Sequence, residues 1–172
     1  MGTVALILDD DCFPDEPGIL PSGRNRMEAL YEYILEKSKN AILFDGRIQF
    51  PANEPPILGS PEQCAAAIVE QLATEETNGS IQREDDGKYG VVVSMDQEWF
   101  GDMEFGERFL TALFARPELN IGRVVVCSKH ADETMRIQLV QKFEIPRIYV
   151  LDKAASPHSL IFKRLFDPLV VQ

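Results

Sequence analysis

Basic residues are scarce in this chain: 17 Lys and Arg stand against 28 Asp and Glu, a net charge of −11 at pH 7. A surface of that sign repels phosphate backbones, so direct nucleic-acid binding is not expected. Histidine is scarcer still, with His130 and His158 alone, and cysteine stops at three, Cys12, Cys64 and Cys127. Their spacing matches no metal-ligand motif, so no zinc site is expected. An odd number of cysteines reads as reduced thiols in a cytoplasmic protein. Long apolar runs are missing too, and none approaches the roughly 18 residues that span a bilayer. The first apolar segment follows no basic region and ends at Asp9-Asp10-Asp11, so neither a signal peptide nor membrane attachment is expected.

What is present is enough apolar residue, 45% of 172, to build one domain over 1–172 with a full core. It comes in short runs: Val4-Ala-Leu-Ile-Leu8, Ala41-Ile-Leu-Phe44, Tyr89-Gly-Val-Val-Val-Ser-Met-Asp96, Arg123-Val-Val-Val-Cys127 and Ile148-Tyr-Val-Leu151. Consecutive valines are stiff at χ1 and suit strands buried on both faces. Between these runs apolar residues recur at helical spacing. Met27, Leu30, Tyr31, Ile34 and Leu35 predict a helix over about 24–39. Ser60-Pro61-Glu62-Gln63 reads as a helix start, with Ser60 the N-cap, Pro61 the first residue and Gln63 completing a capping box. Further helices are expected after Asp96, from Asp132 to Phe143, and after Ser156-Pro157. The polar segment from Glu75 to Lys88 reads as a surface loop. Trp99 and Phe100 read as packing or partner contacts. Five strands alternating with five helices predict a doubly wound parallel sheet with helices on both faces. Two Pro-rich stretches, about 12–21 and 47–59, read as extended loops.

The strand ends carry the polar residues. Asp9 and Asp10 leave the first strand, Asp96 the third, Ser128 the fourth and Lys153 the fifth. Ligands of open α/β sheets bind at the carboxyl ends of the strands. Three carboxylates brought together there raise one another's pKa unless a cation sits among them. Oxygen ligands suit Mg2+, which keeps several waters and leaves room for a phosphoryl group. A hydroxyl and an ammonium would bind that group's remaining oxygens. The pattern points to an aspartyl-phosphate centre.

Leu8-Asp9-Asp10, Val93-Ser-Met-Asp96, Val126-Cys-Ser128 and Val150-Leu-Asp-Lys153 together resemble the motifs of a response-regulator receiver domain of two-component signalling. The resemblance covers nearly all the expected elements and leaves out the two Pro-rich loops. It implies a flavodoxin-like sheet of order 2-1-3-4-5. It implies Mg2+ on Asp9, Asp10 (or Asp11 in its place) and Asp96, with the backbone carbonyl of Glu98 completing the shell. Asp96 would accept the phosphoryl group from a histidine kinase, a phosphotransfer protein or a small phosphodonor, and Ser128 and Lys153 would hold its oxygens. Glu98 and His130 stand where family members tune the lifetime of that group, and Gly106 stands for the family's turn glycine. Lys129 and Ala154 depart from the family's small residue and Pro. The implied activity is a switch, not a turnover enzyme, read by a downstream protein or a homodimer on the face of the last two helices and the fifth strand. Two other readings stay open. One is an interaction module that is not phosphorylated. The other is a phosphatase resembling the haloacid dehalogenases, with Asp9 as nucleophile and Asp11 as general acid, which leaves Asp96 without a role.

Overall fold

The computed structural model describes residues 2–9, 24–37, 39–48, 57–99, 101–128, 132–144, 148–152 and 156–166. In chain order its elements are β1 (Val4–Leu8), α1 (Arg24–Glu36), β2 (Asn40–Phe44), β3 (Arg47–Ile48), β4 (Ile57–Leu58), α2 (Pro61–Thr77), β5 (Tyr89–Asp96), α3 (Phe105–Phe114), β6 (Leu119–Ser128), α4 (Glu133–Phe143), β7 (Ile148–Asp152) and α5 (His158–Phe166). Five strands form one all-parallel sheet in the order β2-β1-β5-β6-β7.

Every residue of β1 and β5 is buried, as central strands covered on both faces require. Alternation along them divides the core in two. Val4, Leu6 and Leu8 of β1 join Val91, Val93 and Met95 of β5 against residues of α2, α3 and α4, such as Ile68, Leu72, Phe109 and Leu139. Ala5, Ile7 and Val92 face the other way, onto Leu30 and Ile34 of α1 and Ile161 and Leu165 of α5. Strand β6 changes phase once. Val91 pairs with Ile121 but Val92 pairs with Arg123, so Gly122 is an extra, unpaired residue. Leu119 and Ile121 before this bulge, and Val124 and Val126 after it, therefore all reach the α2–α4 core.

The start of α2 is as its sequence predicts. The Ser60 hydroxyl accepts from the Gln63 N–H at 3.2 Å, and Gln63 Oε1 accepts from the Ser60 N–H at 2.9 Å. Its end is later than predicted. The helix runs on to Thr77, with the Thr74 and Thr77 hydroxyls donating to the carbonyls of Glu70 and Ala73. Helix α1 is shorter than predicted, ending at Glu36. Leu35, placed on its apolar stripe, is 42% exposed, because one residue beyond Ile34 turns it about 100° from the buried face. The stretch 47–59 also departs from an irregular loop. It opens and closes as an antiparallel ribbon pairing Arg47 with Leu58 and Ile48 with Ile57, entered through Gly46 at φ +89°. Residues 49–56 and the first Pro-rich loop, about 12–21, lie outside the described residues.

Candidate phosphoryl-acceptor site

Leu8 pairs with Phe44 on one side and with Met95 on the other. The next residue of each strand is an acid, so Asp45, Asp9 and Asp96 form a row across β2, β1 and β5 at the carboxyl edge of the sheet. The Asp9 N–H donates to the Phe44 carbonyl at 3.2 Å, which carries the ladder one residue past the strand. Adjacent strands lie about 4.8 Å apart. Asp9 is 2% exposed and Asp96 6%, so two carboxylates one strand apart are almost wholly withdrawn from water.

Asp45, not among the expected site residues, has a different task. Its carboxylate accepts from the Arg47 N–H at 3.0 Å and from Arg47 Nε at 2.6 Å, and lies 2.5 Å from Nη2. It thus closes the turn into the ribbon and pairs with the ribbon's first side chain. The sequence signal was the one that marked Asp9 and Asp96, an acid just past a strand.

The backbone carrying Asp96 is clamped. The buried Trp99 indole N–H donates to the Asp96 carbonyl at 2.7 Å. The Gln97 N–H donates to the Cys127 carbonyl at 3.4 Å, and the Gly106 N–H to the Gln97 carbonyl at 3.1 Å. Trp99 and Asp102 exchange two backbone bonds across a tight turn whose Gly101 has φ +81°. Trp99 also stacks on Phe105, with ring centroids 5.2 Å apart, and lies 5.6 Å from Phe109. Gly106 sits where α3 meets the strand end. A Cβ there would lie 2.5 Å from the Asp96 carbonyl oxygen and 2.8 Å from that of Gln97. The glycine is required for this close approach, not for a left-handed backbone.

Ser128 is buried at the end of β6. Asp96 pairs with Cys127, so Ser128 stands one row beyond Asp96 on the neighbouring strand. The N-cap of α4 is Asp132, whose carboxylate accepts from the Met135 N–H at 2.7 Å, so Ser128 is not needed for that role. Glu98 follows Asp96 by two residues and is half-buried. Asp10, Asp11, Phe100, Lys129, His130, Lys153 and Ala154 lie outside the described residues.

The donor set is all oxygen and fits Mg2+ in kind: the carboxylates of Asp9 and Asp96, and a backbone carbonyl at Glu98. Among the described residues, no three acidic, His or Cys side chains gather closely enough to hold an ion. Cys64, near the base of the ribbon, takes no part. Burial, reinforced by the negative charges of Asp45 and Glu62, pushes its thiol up to about 12 and so suppresses the reactive thiolate. No described helix is long and apolar enough to cross a membrane. Compared with protein-family models and with curated proteins, the chain matches none.

Proposed function

We propose that the chain is a phosphorylation-dependent signalling switch in which Asp96 accepts a phosphoryl group beside Mg2+. The observation that carries this reading is the register that sets Asp9 and Asp96 level, adjacent and buried at the carboxyl edge. The sheet order supports it as well. The order β2-β1-β5-β6-β7, with the two ribbon strands left out of the count, is compatible with the flavodoxin-like order expected of a receiver. No family match adds to this, so the reading rests on the edge geometry.

Asp9, Asp96, Asp10 and the Glu98 carbonyl would hold the ion, whose charge would offset that of the carboxylates and the incoming phosphoryl oxygens. One Asp96 oxygen attacks phosphorus in a partner's phosphohistidine or in acetyl phosphate. The new O–P bond forms as the P–N or P–O bond to the leaving imidazole or acetate breaks. Ser128 and Lys153 would bind the transferred group's oxygens. The clamp of Trp99 and Gly106 on the Asp96 backbone fixes the nucleophile in place and offers a rigid lever from the site into α3. A downstream protein would read the resulting surface change.

Incubation with Mg2+ and acetyl phosphate, followed by intact mass and peptide mapping, tests this. An adduct on Asp96 that Asp96→Asn abolishes supports the switch. Label or phosphate release that depends on Asp9 instead supports the phosphatase. No adduct, together with no Mg2+ binding by titration, leaves a module that only binds partners.

A further inference from the structure

A cavity of about 570 Å³ lies at the amino edge of the sheet, away from the acidic row. Gly90, on its wall, lies six residue steps along β5 from Asp96, or about 20 Å of extended strand. Three glycines near the starts of β1, β5 and β6 (Gly2, Gly90 and Gly122) line it. Gly122 is the bulge residue, and nothing lies closer to its missing Cβ than the Val91 carbonyl at 3.9 Å. The bulge thus leaves a hole in the sheet edge, and it also sets the direction of the next side chain, Arg123.

Two cations line the cavity, Arg123 and Lys39. Arg123 spends one donor on a long 3.4 Å bond to the Arg164 carbonyl near the end of α5, and Lys39 lies over the Phe166 ring at 5.6 Å. Among the described residues neither has a carboxylate within ion-pair distance. In a chain with an excess of 11 negative charges, acids to pair them were plentiful. Among the described residues on the wall the one acid is Glu84, which lies over Gly90 and accepts instead from Asn120 Nδ2 at 3.3 Å, an amide that also donates to Asp86 at 2.7 Å. Thr3 and Asn40 add neutral polar groups.

We propose that this amino-edge cavity binds a small, polar, anionic metabolite. Its phosphate or carboxylate pairs with Arg123 and Lys39, and its hydroxyl or amino groups face Glu84 and Asn120. The site is independent of the phosphoryl-acceptor edge and does not rest on that reading. Its volume suits a ligand of metabolite size, and its polar lining disfavours an apolar one. Arg123 supplies the directional contact, since a guanidinium binds either anion with paired donors.

Titration of the 15N-labelled chain with glycerol phosphate, glutamate and inorganic phosphate, followed by amide shifts, tests this. Saturable shifts centred on Gly90, Gly122 and Arg123, with a Kd of about 1 mM or below for at least one probe, are the expected result. A response to glycerol phosphate and inorganic phosphate marks a phosphate ligand, and one to glutamate alone a carboxylate. Arg123→Gln weakens binding by about ten-fold or more, and Lys39→Gln weakens it to a lesser degree. Asp96→Asn leaves the affinity unchanged. Shifts that do not saturate, or that centre on Asp9 and Asp96, overturn the proposal. So does an Arg123→Gln variant that keeps its native spectrum and binds as the parent does.

Discussion

Gly106→Ala sets two physical effects of opposite sign against each other at the point where α3 meets Asp96. In an exposed helix interior, alanine is favoured over glycine by about 1 kcal/mol. At this position the added Cβ meets backbone on three sides, with the Asp96 oxygen at 2.5 Å, the Gln97 oxygen at 2.8 Å and the Gln97 Cα at 2.9 Å. None of these can rotate away as a side chain would. Overpacking of a tight site costs about 1–3 kcal/mol, and contacts with backbone belong at the upper end. The clash therefore wins, and Gly106→Ala should lose about 2 kcal/mol net. In a domain of this size that lowers the melting temperature by about 4–8 °C. In urea the midpoint should fall with the slope unchanged. Gly79→Ala is the control: Gly79 has φ +82° but nothing within 4 Å of its missing Cβ, so it carries backbone strain of about 1–2 kcal/mol without a clash. Gly106→Ala should also slow adduct formation at Asp96, which Gly79→Ala should not. A Gly106→Ala protein as stable as the parent would show that α3 does not seat on the strand end, and the clamp would fall with it.

Two further outcomes follow from local chemistry. Ser60→Ala removes one half of the capping box of α2 and should cost about 1 kcal/mol by chemical denaturation, while Gln63→Ala costs less because the Ser60 hydroxyl still caps the Gln63 N–H. Above pH 9.0 the unfolded Cys64 thiol gives up its proton while the buried thiol holds it until about 12. The unfolded state then binds fewer protons, so Cys64 makes stability fall as pH rises through that window, by at most about 1.4 kcal/mol per pH unit. Subtracting the pH profile of Cys64→Ala from that of the parent isolates this slope, and identical profiles would contradict it.

The parts of the fold written as local pattern were legible, and those set by tertiary contact were not. The all-valine stretches could be placed as buried strands because burial on both faces leaves no polar alternation to confuse the reading. Ser60-Pro61-Glu62-Gln63 needs only its own four residues to form its cap. Glu75, Glu76 and Thr77, by contrast, read as loop because they open a polar segment, yet the Thr77 hydroxyl bonds back to the Ala73 carbonyl and the helix continues. The ribbon β3–β4 escaped because two residues per strand show no periodicity. Gly106 was visible as a glycine in the right region. Its reason, a backbone 2.5 Å away, belongs to another element.

The candidate site was legible only as a set, because an acid at one strand end says little until register fixes its neighbours. That register is decided far from the site. Had β6 run on in phase from the pairing of Val91 with Ile121, Asp96 would lie level with Val126, and Ser128 would stand two rows beyond it. The unpaired Gly122 shifts every later pair by one, so Cys127 comes level with Asp96 and Ser128 stands one row away on the opposite face. A glycine at the amino edge therefore sets which hydroxyl is offered at the carboxyl edge. Deleting Gly122 should remove the bulge and nothing more: Arg123 stays level with Val92, so Cys127 stays level with Asp96 and Val124 and Val126 stay in the α2–α4 core, whereas inserting a second residue beside Gly122 should either widen the bulge or move Ser128 and the core valines together. The placement of the Ser128 hydroxyl and the packing of the core thus depend on one break in register.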